Sequence, residues 1–237
     1  MSFGVIAAGY LNIAGETTQP LAAWNFENEV GDACADVTGG GHILTRGALG
    51  SWSTGYNGSY AAQGDPDNTQ GEAGAGAYGL FPGGSPGSNP LTICFWAQVP
   101  NLAVGTALVS AYNTAGREDP MGLYVESDGS ARAYWYSDAN VASSAPVSMT
   151  AGVVSENTWT HIAGVFTPGT GAIVLCNGIV VTTYNWQGGS SAFYGTWETL
   201  LVGSSRWGSA GAIVDDLRIY NEVLTDTQIT TLMNQPV

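Results

Sequence analysis

The clearest pattern in this chain is a two-residue alternation over residues 158–184, TWTHIAGVFTPGTGAIVLCNGIVVTTY. Trp159, His161, Ala163 and Val165 alternate with Thr160, Ile162, Gly164 and Phe166, so the two sets face opposite sides of one strand. Pro168-Gly169-Thr170-Gly171 supplies turn chemistry, and residues 171–176 read as a second strand. Asn177-Gly178 predicts a type I′ hairpin, because both central residues of that turn need positive φ. A third strand starts at Ile179. Further strands are predicted at 42–46, 77–81, 106–112, 121–126, 130–136 and 199–203, the fourth and fifth of them joined across Ser127-Asp128-Gly129. Residues 64–90 and 137–157 read mostly as loop. One helix is predicted at the C-terminus. Thr225 caps it, Gln228 completes a capping box, and Ile229, Leu232 and Met233 share the face that packs on the sheets.

Four segments add a family resemblance. Trp159-Thr-His161-Ile-Ala-Gly-Val with its Asn177-Gly178 hairpin, Leu21-Ala-Ala-Trp24-Asn-Phe26-Glu27, Leu91-Thr-Ile93-Cys-Phe95-Trp96-Ala97 and Ile213-Val-Asp215-Asp216-Leu217-Arg218-Ile219-Tyr220 resemble, in order and spacing, the strands of laminin G-like domains. The resemblance covers roughly residues 20–234. It implies an all-β fold: a two-sheet antiparallel jelly-roll sandwich of the concanavalin A-like kind, with one short C-terminal helix. Residues 20–237 form that domain and residues 1–19 an apolar arm carrying Phe3, Val5, Ile6, Tyr10, Leu11 and Ile13. The resemblance also implies a calcium ion between the first loop and the closing strand, with oxygens from Glu27, Asn28, Asp32, Asp36 and Asp215. The alternative is that these are solvated turn carboxylates and caps.

Charge narrows the partners. With 5 arginines, no lysine and 19 acidic residues the net charge is −14, which repels nucleic acid phosphate and anionic lipid. No apolar stretch approaches the length that spans a membrane. The 3 cysteines, Cys34, Cys94 and Cys176, are too few and odd in number for a disulfide framework. The N-terminus has no Lys or Arg before its apolar run, unlike a secretory signal.

No catalytic set is legible. Asp215 and Asp216 are adjacent on a strand and point apart, so they do not make the carboxylate pair that glycoside hydrolysis needs. His42 and His161 are the only histidines, too few for a histidine-rich zinc site, and His161 is expected in the core. Aromatic side chains are the other candidate chemistry, because a sugar face stacks on a Trp or Tyr ring. Tyr134, Tyr136, Trp186, Trp197 and Trp207 are the candidate ligand-binding residues, with Tyr184 and Tyr194 near the same loops. Trp24, Phe26, Phe95, Trp96, Trp159 and Phe166 are expected in the core. The reading is a non-enzymatic structural or adhesion protein of a virus particle, such as a bacteriophage capsid decoration, fibre or tail-associated subunit. It would meet other virion proteins or its own copies through residues 1–19, with a host surface glycan as a further partner. The alternative is a calcium-assisted carbohydrate-binding module working extracellularly.

Overall fold

A computed structural model describes residues 19–27, 29–47, 50–64, 75–78, 80–81, 84–113, 118–138, 141–143, 145–188, 190–203 and 211–235. Residues 1–18 of the apolar arm, with the partner expectation that leans on them, and also Asn28 and Trp207, lie outside the described residues.

The strands are β1 (Ala22–Trp24), β2 (Glu29–Val30), β3 (Ala33–Cys34), β4 (Leu44–Arg46), β5 (Ser51–Ser53), β6 (Ala61–Gln63), β7 (Ala75–Tyr78), β8 (Leu91–Gln98) and β9 (Thr106–Asn113). They continue with β10 (Glu118–Val125), β11 (Ala131–Asp138), β12 (Val141–Ser143), β13 (Ser148–Met149), β14 (Thr160–Thr167), β15 (Gly171–Cys176), β16 (Ile179–Asn185), β17 (Thr199–Val202) and β18 (Ile213–Tyr220). One helix, α1 (Asp226–Met233), follows. Two antiparallel sheets result. One runs β13-β16-β15-β14-β8-β18-β6-β5 with β1 also on β18, and the other runs β12-β11-β10-β9-β17-β7-β4-β3-β2.

The predicted turns and caps are in place. Asn177 and Gly178 have φ of 49° and 78°, the doubly positive pair of a type I′ turn. The Thr225 hydroxyl accepts from the Gln228 N–H while the Gln228 side chain accepts from the Thr225 N–H at 2.8 Å. Two expectations shift: β12 and β13 lie inside the stretch read as loop, and β7 starts two residues before the predicted strand.

The inter-sheet core joins Trp24, Phe26, Phe95, Trp135, Phe166 and Leu108. A second, smaller core lies on the outer face of the first sheet, where Cys94, Ala163, Val165, Leu175 and Tyr220 pack under Leu224 and Ile229. The period-2 strand β14 is therefore buried on both faces, one against the other sheet and one beneath α1. Arg218 anchors the helix by donating to the Leu232 carbonyl at 2.9 Å and to the Gln235 carbonyl. The Leu232 carbonyl is among the last four of the helix, which have no intrahelical donor, and Gln235 lies just beyond the C-cap Asn234. Burial raises two thiols, Cys94 of this core to about 11 and Cys176 of the inter-sheet core to about 12.

Trp96 and Trp159 depart from expectation. Both lie outside the inter-sheet core. Trp96 belongs to the outward set of β8, and a ring from a loop covers it in place of the helix.

Candidate functional site

The loop between β5 and β6 crosses the outer face of the first sheet beyond the helix. Two carboxylates hold it from below. Asp215 Oδ2 accepts the Tyr56 N–H at 2.6 Å, and Glu27 Oε1 accepts the Tyr60 N–H at 3.0 Å. The loop closes tightly on these acids. A Cβ at Gly55 would overlap the Tyr60 carbonyl and lie 2.7 Å from Asp215 Oδ2, and one at Gly58 would overlap the Glu27 carboxylate. The Tyr60 carbonyl is backbone and cannot give way, so glycine is required at Gly55; at Gly58 the obstacle is the end of the flexible Glu27 side chain, which a methyl group would push aside.

The geometry leaves the rings on top. Tyr56 stacks on Trp96 with centroids 3.6 Å apart and planes at 18°, and meets Trp159 edge-on at 5.8 Å. Tyr56 is 38% exposed and Tyr60 41%. Beneath them His161 lies edge-on to Trp96 at 5.4 Å. His161 is buried, its Nδ1 has no hydrogen-bond partner, and its pKa is pulled down to about 3 by burial and by Arg218. It is a neutral packing group, as expected of a core histidine.

Asp215 is itself buried, and its carboxyl sits high, at about 6. Desolvation is the main cause, the charges of Asp216 and Glu27 add to it, and the backbone donors oppose it. Its Oδ1 accepts the Asp216 N–H at 2.8 Å, so both oxygens are engaged. Asp216 has φ of 51° at an irregularity in the β18–β8 register. That irregularity lets two adjacent acids both be buried.

The metal set predicted from the resemblance does not converge. Asp32 pairs with Arg46. Asp36 Oδ1 accepts the N–H of Ala23 at 3.1 Å and of Thr38 at 2.9 Å, and its Oδ2 accepts the Thr38 hydroxyl at 2.9 Å. Glu27 and Asp215 serve the loop above. Among the described residues no group of three His, Cys, Asp or Glu side chains is placed to hold a metal ion. As placed, Glu27, Asp32, Asp36 and Asp215 do not gather into one calcium site.

The predicted aromatics separate. Trp197 is buried, 3% exposed, with its ring between Phe81 at 5.5 Å and Phe193 at 5.1 Å. It offers no free face, because its N–H and that of Phe193 bond to the carbonyls of Gly84 and Gly87 and draw the loop inward. Trp186 is half-buried against Trp135 and Phe193, with its Nε1 donating to Ser190 O at 2.7 Å. Tyr184 is buried, and its hydroxyl accepts the Ala133 N–H at 2.9 Å. Tyr134 and Tyr136 share one face of β11, both half-buried, opposite the buried Trp135. Tyr134 sits beside Tyr124, whose ring lies 5.5 Å from the Arg132 guanidinium. Tyr194 is exposed and its N–H bonds to Tyr136 O.

Sequence reasoning missed Tyr56 and Tyr60. A signal exists in SWSTGYNGSY, where Trp52, Tyr56 and Tyr60 recur every four residues among Gly, Ser and Asn. Trp52 packs beside Phe26 against the inter-sheet core, whereas Tyr56 and Tyr60 stay exposed.

A family profile described as the concanavalin A-like lectin/glucanases superfamily matches residues 73–230, about two thirds of the chain. No curated protein matches by sequence. Solved structures resemble it in fold. The botulinum neurotoxin serotype G binding domain aligns with TM-score 0.65 at 12% identity over 90% of this chain and 50% of that one. The binding domain of Paraclostridial Mosquitocidal Protein 1 gives 0.67 at 15% over 91% and 52%. The Trypanosoma rangeli sialidase in complex with sialic acid gives 0.61 at 14% over 90% and 32%. The chain thus spans about half of each binding domain and a third of the sialidase.

Proposed function

Because this chain belongs to the concanavalin A-like lectin/glucanases superfamily, we propose that it is a non-catalytic carbohydrate-binding module. Tyr56 is the ring on which a sugar stacks, and Trp159 borders it. One observation carries the proposal: Tyr56 is exposed while its ring is backed by a stacked Trp96. A ring held flat by a stacked partner loses little freedom when a sugar lands on it, so more of the stacking energy appears as affinity. The binding domains among the structural relatives support the reading as analogy only.

Catalysis is not part of the proposal. Asp215 has the raised pKa of a general acid, but it lies under the loop with both oxygens bonded to backbone. That acid is a latch. The reading holds equally for a free module and for an adhesion subunit of a virus particle. The test is calorimetric titration of the full chain with oligosaccharides of defined composition, beside Tyr56→Ala. Saturable binding lost in the variant is expected, with no reducing sugar released. Binding that survives Tyr56→Ala would move the site elsewhere.

A further inference from the structure

We infer that the sugar taken at this platform is uncharged, and that a sialic acid or sulfate on the same glycan weakens binding. The inference rests on the carbohydrate reading above and adds the charge class of the ligand.

Recognition of an anionic sugar calls for a cationic side chain or a set of unengaged N–H donors. The chain contains no lysine. Of its arginines, Arg117 and Arg206 lie outside the described residues, and the other three have internal partners. Arg46 donates to Asp32 and to the Gly50 carbonyl. Arg132 is paired with Glu126 at 2.5 Å and lies over the Tyr124 ring. Arg218 closes the end of α1. Of the loop's N–H groups, those of Tyr56 and Tyr60 already donate to Asp215 and Glu27.

Arg218 lies near enough to act on His161 under Trp96, but it is buried and its donors serve the end of α1; the other charged groups described beside the rings are acids. Glu27 reaches Tyr60, Asp215 lies under Tyr56, and Asp216 adjoins Asp215. At ordinary ionic strength the chain's total charge is screened beyond about 10 Å, so these local carboxylates decide the outcome. Glu27 is the exposed one and the one an approaching anion would feel.

The test compares printed neutral oligosaccharides ending in glucose, galactose, mannose or N-acetylglucosamine with their sialylated and sulfated counterparts, using the full chain. At low salt each acidic group is expected to weaken binding about fivefold, the size of one like-sign contact near 4 Å in water. In strong salt the difference is expected to vanish. Glu27→Gln keeps an acceptor for the Tyr60 N–H and is expected to shrink the low-salt difference to about twofold. Equal or tighter binding of the acidic glycans at low salt, still lost in Tyr56→Ala, would overturn the charge class and leave the carbohydrate reading standing. Absence of binding to every glycan, with the wild type and Tyr56→Ala alike, would overturn the carbohydrate reading and this inference with it.

Discussion

Two groups of loop aromatics sit on this sandwich, and they meet opposite fates. At one end Phe81, Trp197, Phe193, Trp186 and Trp135 touch ring to ring, with Trp197 and Trp135 nearly sealed. On the outer face of the first sheet, Tyr56 and Tyr60 remain exposed. The anchors make the difference. The 84–89 and 186–198 segments are tied to each other by backbone hydrogen bonds, which leaves space between them for side chains to fill. The loop between β5 and β6 is tied to carboxylates that project up into it. Its interior is already occupied, so its rings stay outside. An aromatic in a polar loop is therefore a binding candidate only when something else fills the loop.

The largest effect that would sharpen this contrast is Trp135→Ala. Removing a fully buried indole is expected to cost about 3–5 kcal/mol, read by urea denaturation, with ligand affinity in the folded fraction unchanged. Trp186→Ala is expected to cost less, about 1–2 kcal/mol, again in stability and not in binding. Asp215 gives a pH test. Its folded pKa of about 6 lies above the ordinary 3.8, so the folded state binds the proton more tightly than the unfolded chain does. Its contribution is complete below about 4 and is lost as pH rises through about 6, on the order of 2 kcal/mol in all. Denaturation midpoints across that window should fall with rising pH, and Asp215→Asn should flatten the dependence. A wild type whose stability rose over the same window would contradict the buried, latched carboxyl. Gly55→Ala, whose methyl would overlap the Tyr60 carbonyl, is expected to push the loop off Asp215, costing about 1–2 kcal/mol of stability and most of the glycan affinity. Tyr56→Ala is the smallest in stability, under about 1 kcal/mol, because the ring is already partly exposed. It is the one expected to abolish binding outright.

Much of the fold was legible from local chemistry. The Asn177-Gly178 turn and the Thr225–Gln228 box depend only on neighbouring residues, and both stand where the sequence places them. The face assignments were harder. Trp96 and Phe95 alternate on β8, and alternation says that they part but not what covers each. Trp96 looks like core in sequence and faces outward because Tyr56, forty residues away, lies across it. Trp197 looks like a loop ring and is core because Gly84 draws its backbone inward. The acids divide in the same way. Asp36 reads equally as a ligand and as a turn acceptor until its partners, Ala23 and Thr38, are seen.

The stretch from β12 to β13 has a consequence for the chain's behaviour in a crowded solution. Val141–Ser143 borders one sheet against β11, and Ser148–Met149 borders the other against β16. One short connection is thus the hem of both layers. A single protease cut there would bare β11 and β16 together. Each would present unpaired N–H and C=O groups to neighbouring molecules, so limited proteolysis should make the chain self-associate before it unfolds.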